Sequence, residues 1–314
     1  MAKNKIQFQK GLSVGDFLSM YGTEKQCYEA LFRLRWPRGY VCPECGHQHF
    51  CYISSRKVYQ CHNCHAQRSV ISNTIFASTK LPLTTWFLAI YFITQSKDGI
   101  SSLKLARTLG ISANAALRIK HKLQQTMKER EDAIPLHGLV LMDDAYWGGK
   151  KRDGRRGRGA TGKTPFLAAI QLSKEKHPIF IKFNKVAGFT KKEITAWVSK
   201  HLVRNSYVVS DALNCFLGVE DGKSNHLSIP ANKFEDLSHT VFRWLNTVIG
   251  NIKTAIHGAY HAIRPKHLPR YLAEYCYRFN RRFHLEGMIK SLLNDSINTP
   301  PMPRRLLKLA EVRW

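Results

Sequence analysis

Acidic side chains are scarce in this sequence: 22 Asp and Glu stand against 49 Lys and Arg, a formal net charge of +27 over 314 residues. An imbalance of that size argues for a polyanionic partner, nucleic acid ahead of membrane lipid or acidic proteins, because each phosphate neutralised by a cationic side chain releases a condensed counterion. Long apolar runs are also missing. The most apolar stretch, Trp86 to Ile93, falls far short of the roughly 20 residues needed to cross a bilayer. Residues Met1 to Lys10 lack the apolar centre of a secretory leader. No membrane partner is therefore expected, and the expected location is the cytoplasm, in association with the nucleoid. Thiols stay reduced there, so the eight cysteines read as metal ligands or core residues, not as a disulfide framework. Internal repeats and low-complexity tracts are absent too, which leaves an ordinary globular composition with 44% hydrophobic residues.

What is present divides the chain into four segments. Residues 1–40 read as a helical lead-in, with a capping-box pattern at Thr23-Glu24-Lys25-Gln26 ahead of Ala30, Leu31 and Leu34, and a stop at Trp36-Pro37-Arg38-Gly39. Residues 41–76 carry Cys42-x-x-Cys45 and Cys61-x-x-Cys64, separated by fifteen residues. Two such knuckles at this spacing match a zinc ribbon, in which a β-hairpin brings four thiolates to one Zn²⁺. Four thiolates leave no open position, so the zinc is structural. His47, His49, His62 and His65 are substitute ligands, Cys51 falls on the hairpin, and Cys27, Cys215 and Cys276 read as small core hydrophobes.

Residues 77–132 read as helices containing a helix-turn-helix. Leu103 to Leu109 is followed by Gly110 for the tight turn and Ser112 as the cap of a second helix. That second helix carries Arg118, Lys120, His121 and Lys122, of which Arg118, Lys120 and Lys122 are candidate DNA contacts. Residues 133–314 form the largest unit, an α/β arrangement with β-like runs at Leu139–Met142, Phe166–Leu172, Ile179–Phe183 and Tyr207–Ser210, a helix near 191–202, and a helical remainder after about residue 240.

Two acids end apolar strands in this unit: Asp143, followed by Asp144, and Asp211. Acids at the ends of buried strands are costly unless they face something positive. Brought together, they suit metal-dependent phosphoryl transfer. A P-loop pattern at Gly157 to Thr164 is a decoy, since it meets Pro165 and a strand instead of opening a helix, and no nucleotide cofactor is expected. Lys150, Lys151, Arg152, Arg155, Arg156, Arg158 and Lys163 read instead as a basic loop that tracks a DNA backbone. Asn246 and Lys253, seven apart on a helix, share one face; a cap or packing role for Asn246 is the competing reading.

The zinc-ribbon cysteines, the Asp143 strand running into Tyr146-x-Gly148-Gly149, the lead-in Phe32-Arg-Leu-Arg-Trp36-Pro, and the late Gly258-Ala-Tyr260-His261 and Tyr277-Arg-Phe-Asn280-Arg-Arg282 together resemble bacterial insertion-sequence transposases with an ISXO-two-like DDE domain. The resemblance implies an RNase-H-like mixed sheet flanked by helices, in which three residues hold two Mg²⁺ or Mn²⁺ ions. Asp143 takes the place of the first ligand, Asp211 the second and Asn246 the third, with Lys253 at the accompanying basic position. Glu is commoner at the third place, and this sequence departs from it. Asp144 falls where many relatives have Glu and reads as an outer neighbour of the metal. Implied partners are double-stranded DNA, as terminal inverted repeats and target, and a second copy of the chain on that DNA. A nuclease without strand transfer and a non-catalytic zinc-ribbon regulator are the alternatives.

Overall fold

The computed structural model describes residues 10–148, 162–230, 235–260 and 263–310, with backbone alone over 235–240. The chain divides into two compact units, Met1–Thr126 with Arg281–Trp314, and Met127–Asn280.

In the first unit, α1 (Val14–Tyr21) precedes α2 (Glu24–Arg35), which starts on the Thr23/Gln26 capping box and ends at Trp36. The ribbon follows as an antiparallel sheet of β1 (Phe50–Ile53), β2 (Val58–Cys61) and β3 (Gln67–Arg68). It is too small to bury a core, and an aromatic cluster joins it to α2. Phe32 and Trp36 of the helix end meet Tyr40, Phe50 and Tyr59 at ring separations of 5.0–6.1 Å. The lead-in is thus structurally part of the ribbon module.

Next come α3 (Leu83–Gln95), α4 (Ser102–Leu109) and α5 (Ala113–Ala133). Pro82 offers α3 no side-chain cap; Glu24 fills that role, accepting from the N–H groups of Leu83 and Thr84 at 3.0 and 3.1 Å. Residues 281–314, expected with the last segment, group instead with the first unit. There α10 (Met288–Ile297) packs on α2 and α3, and the Ile75 N–H donates to Ser296 O.

In the second unit, β4 (Leu139–Trp147), β5 (Thr164–Leu172), β6 (Pro178–Lys185), β7 (Tyr207–Asp211) and β8 (Asn225–Ile229) form one sheet in the order β6-β5-β4-β7-β8. The first three are antiparallel, while β7 pairs parallel to β4 and β8 parallel to β7. The parallel steps need crossovers. Helix α6 (Lys191–His201) makes the first, and a 3₁₀ turn with α7 (Gly218–Asp221) the second. This mixed order is the RNase-H-like arrangement that the resemblance implied.

Alternation along the strands splits the core into two faces. Val140, Met142, Leu167 and Ala169 pack against Ile194, Trp197 and Val198 of α6. Leu141, Ala145, Phe166 and Ala168 face α8 (Glu235–Ala259) and α9 (Leu268–Asn280), including Leu245, Ile249, Ile252 and Leu272. Among the described residues, α11 (Arg304–Leu309) closes the chain. No described helix is long and apolar enough to cross a membrane.

Candidate metal centres

The two knuckles are built from local backbone geometry. Gly46 and His65 adopt positive φ of 75° and 56°, and the N–H groups of Gly46 and His65 bond back to Cys42 O and Cys61 O at 2.9 and 3.2 Å. Glycine takes that conformation at no steric cost, which is what turns the first knuckle. The four sulfur atoms lie within 4.8 Å of one another, with Cys42–Cys64 and Cys45–Cys61 Sγ separations of 3.6 Å. A tetrahedron with metal–sulfur bonds of about 2.3 Å has edges of about 3.8 Å, so the donor set fits a tetrahedral metal. The Asn63 N–H also reaches Cys61 Sγ at 3.4 Å. Cys51 lies exposed on β1, and Cys27, Cys215 and Cys276 are buried, as the sequence led us to expect.

A second group assembles on the sheet, where carboxylate oxygens of Asp143, Asp144 and Asp211 lie within 4.8 Å of one another. Strand β4 continues to Trp147, but its pairing with β7 stops at Met142–Ser210. Asp143 and Asp211 are the next residues of each strand, at the point where the two strands part. Asp143 has the same alternation as Leu141, and Asp211 the same as Val209, so both belong to the α8 face. Asp143 Oδ1 accepts the Asp144 N–H at 2.8 Å, and Asp211 Oδ1 accepts the Leu213 N–H at 3.2 Å. Ser210 Oγ lies 2.8 Å from both Asp211 O and His226 Nε2, bracing the end of β7.

The spacing suits hard cations. One octahedral Mg²⁺ with bonds of about 2.1 Å spans oxygens up to about 4.2 Å apart, and paired ions sit about 3.5–4 Å apart. Asp144, read from sequence as an outer neighbour, belongs to the carboxylate group itself.

Lys253 stands beside these acids. Burial lowers its pKa most, with Lys163 adding to the lowering, while Asp143 and Asp144 pull it back up. Lys253 thus stands in the field of the acidic group, with Lys163 close enough to act on it. Asn246 is exposed on α8, seven residues or about 10.5 Å of helix rise before Lys253. Helical side chains lean toward the N-terminus, so the Lys253 stem points toward the Asn246 end.

Two candidate DNA contacts point inward. Lys120 is fully buried, and its ammonium donates to Ile100 O at 2.6 Å. The Lys122 ammonium donates to Ile75 O at 3.0 Å and sits 5.6 Å from the centre of the Trp86 ring. A buried ammonium needs such partners, and both lysines serve the fold of the helical segment. Arg118 is exposed. Lys150, Lys151, Arg152, Arg155, Arg156 and Arg158 lie outside the described residues.

An RNase-H-like sheet with carboxylates gathered where β4 and β7 part defines the class of metal-dependent phosphodiester-processing domains. Residues 135–280 match the family model of the ISXO2-like transposase domain, and residues 22–67 match the transposase zinc-ribbon domain. The chain is thus similar to an ISXO2-like transposase domain over the first of these ranges and to a transposase zinc ribbon over the second. The ribbon match starts at residue 22 and so takes in α2, in accord with the aromatic cluster. An uncharacterized protein in transposable element ISH50 of Halobacterium salinarum is 26% identical over 181 residues, 52% of this chain and 60% of that protein. The match thus spans three-fifths of that relative's length. A crystal structure of the Mos1 mariner paired end complex with Mn is 13% identical, covering 59% of this chain and 74% of that one at a TM-score of 0.23. At that score it adds nothing to the strand order.

Proposed function

We propose that this protein is a DDE-type DNA transposase, which binds the ends of an insertion sequence and carries out phosphodiester hydrolysis and strand transfer. The observation that carries the reading is the carboxylate group of Asp143, Asp144 and Asp211 at the fork of β4 and β7 within an ISXO2-like domain. Asp143 and Asp211 would hold Mg²⁺ or Mn²⁺, with Asn246 or Asp144 completing the set, and Cys42, Cys45, Cys61 and Cys64 would hold a structural Zn²⁺. When bound, divalent ions activate an attacking oxygen and stabilise a leaving one.

The chain's own groups supply the rest. Lys253 stands beside these acids and can hold the scissile phosphate against them, and it is poorly solvated, which strengthens its pull on that phosphate. The ribbon and the α4–α5 segment supply DNA binding, in keeping with the net charge of +27. Two ends must be brought together for strand transfer, so a dimer or larger assembly forms on DNA.

The test uses purified protein, Mg²⁺ or Mn²⁺, and duplexes carrying the element's terminal repeats. Nicking at the repeat end and joining to a target duplex are expected, and both disappear in Asp143→Ala and Asp211→Ala. Nicking without joining would reduce the protein to a nuclease, and undiminished activity in either variant would overturn the site.

A further inference from the structure

Helix α5 is 21 residues long, yet little of it is available to a partner. From Ile119 to Met127 none of its residues is exposed. Its polar side chains there, Lys120, His121, Gln124, Gln125 and Thr126 among them, are buried or directed into the fold. The exposed positions in its first two turns are Ala113, Asn114 and Arg118. Before them, α4 ends at Gly110 in the left-handed conformation, with φ of 64°, and Ser112 caps α5 by accepting the Ala115 N–H at 3.2 Å. This tight turn sets Lys104, Arg107 and Thr108 of α4, all exposed, next in sequence to the exposed turns of α5. That is the helix-turn-helix layout, in which the start of the second helix enters the major groove while the first crosses the backbone.

Asn114 and Arg118 are four residues apart, so they share a face. Their chemistry differs from that of a plain basic patch. An asparagine amide matches the N6 and N7 edge of adenine, and a guanidinium matches O6 and N7 of guanine. Lys104 and Arg107 would make contacts with phosphates that carry no sequence information if α4 lies across the backbone.

We propose that Asn114 and Arg118 are the base-reading residues of this protein, taking an adenine and a guanine in the major groove of duplex DNA, with Lys104 and Arg107 on the flanking phosphates. This rests on the transposase reading above for its partner, DNA, but not on the chemistry of the carboxylates. The four-residue step between them rises about 6 Å, close to two base-pair steps of about 3.4 Å. The two bases therefore lie about two positions apart. The whole exposed start of α5, about 9 Å long, covers about three base pairs, so a longer recognition sequence draws its remaining positions from elsewhere, the zinc ribbon included.

The experiment selects duplexes with a randomised 20-base-pair core, using the full chain with its zinc retained and with no Mg²⁺ or Mn²⁺ present. The wild type is expected to select an adenine and a guanine about two positions apart. Asn114→Ala should lose the preference at the adenine alone and Arg118→Ala at the guanine alone, each weakening the selected duplex by about 5- to 150-fold. Lys104→Gln and Arg107→Gln should weaken all duplexes alike and flatten the salt dependence by about one phosphate each. Both reading residues are exposed, so unchanged thermal unfolding of the variants is the control for folding. An unchanged selected motif in both alanine variants would overturn the assignment, and so would a loss shared equally by every sequence. Because no cleavage is measured, an inactive carboxylate site would leave this result unaffected.

Discussion

Among the described residues, two clusters of side chains able to ligate a metal are built in opposite ways. The four thiols come from two short knuckles within 23 residues of chain, Cys42 to Cys64, each turned by its own backbone. The carboxylates of Asp143 and Asp211 lie more than sixty residues apart in the chain, and the parallel pairing of β4 with β7 brings them together. One site is closed and has no core of its own apart from an aromatic seam. The other is open, partly exposed and carried on a sheet buried on both faces. A closed thiolate set supports folding, whereas an open carboxylate set on a rigid support leaves room for a reacting group.

Stripping the metal from the ribbon is the severest way to test this contrast. Structural zinc contributes on the order of 10 kcal/mol to folding of such modules. Chelation, or Cys61→Ser, should make residues 41–68 protease-sensitive and abolish binding to repeat DNA, while the melting of the 135–280 domain is unmoved. Joint melting of both would show that the two regions are not independent.

The next test asks which residue completes the acidic site. Asn246→Ala is expected to lower cleavage at least about 10³-fold with DNA binding intact, as removal of a metal ligand would. Asp144→Asn should cost about 10- to 100-fold if Asp144 acts only through its neighbours. Reversed magnitudes in the cleavage assay would hand the third place to Asp144.

A smaller effect probes the support beneath the open site. His201 is buried on the α6 face, and its Nδ1 has no hydrogen-bond partner among the described residues. Burial first, then the positive charge of Lys182, with Lys200 and Lys128 adding and Asp132 opposing, lowers its pKa from 6.5 to about 4. Between those values the unfolded chain binds a proton that the folded one refuses. Stability should therefore fall as pH drops from about 6.5 toward 4, by about 2 kcal/mol from this group between pH 7 and 4.5. Urea unfolding should show a shallower decline in His201→Gln; equal slopes would exclude His201 as a source. Smallest of all, Thr23→Ala removes the cap of α2 and should cost the ribbon-bearing unit about 1 kcal/mol in the same measurement.

Much of this was legible in the residues, and the misses share a cause. The knuckles, the Thr23/Gln26 cap and strands β4 to β7 stand out because each depends on spacing within a few residues. Strand β8, Asn-His-Leu-Ser-Ile, escaped notice because it is polar and mostly exposed, without clean alternation. Lys120 and Lys122 were read as DNA contacts because a basic helix looks the same whether its lysines meet phosphate or donate to buried carbonyls. Their acceptors, Ile100 O and Ile75 O, lie 20 and 47 residues away.

The sequence by itself determined the ribbon, the charge and the apolar strands that end in Asp143 and Asp211, since those follow from composition and from local backbone preference. Tertiary structure decided that Asp144 joins the carboxylate group, that Lys253 stands in its field, and that α5 is covered from Ile119 to Met127 while Asn114 and Arg118 stay exposed. Each of these is a matter of which distant segments cover or approach a side chain. Burial and Coulomb interaction depend on distance in space, and no spacing along the chain encodes it.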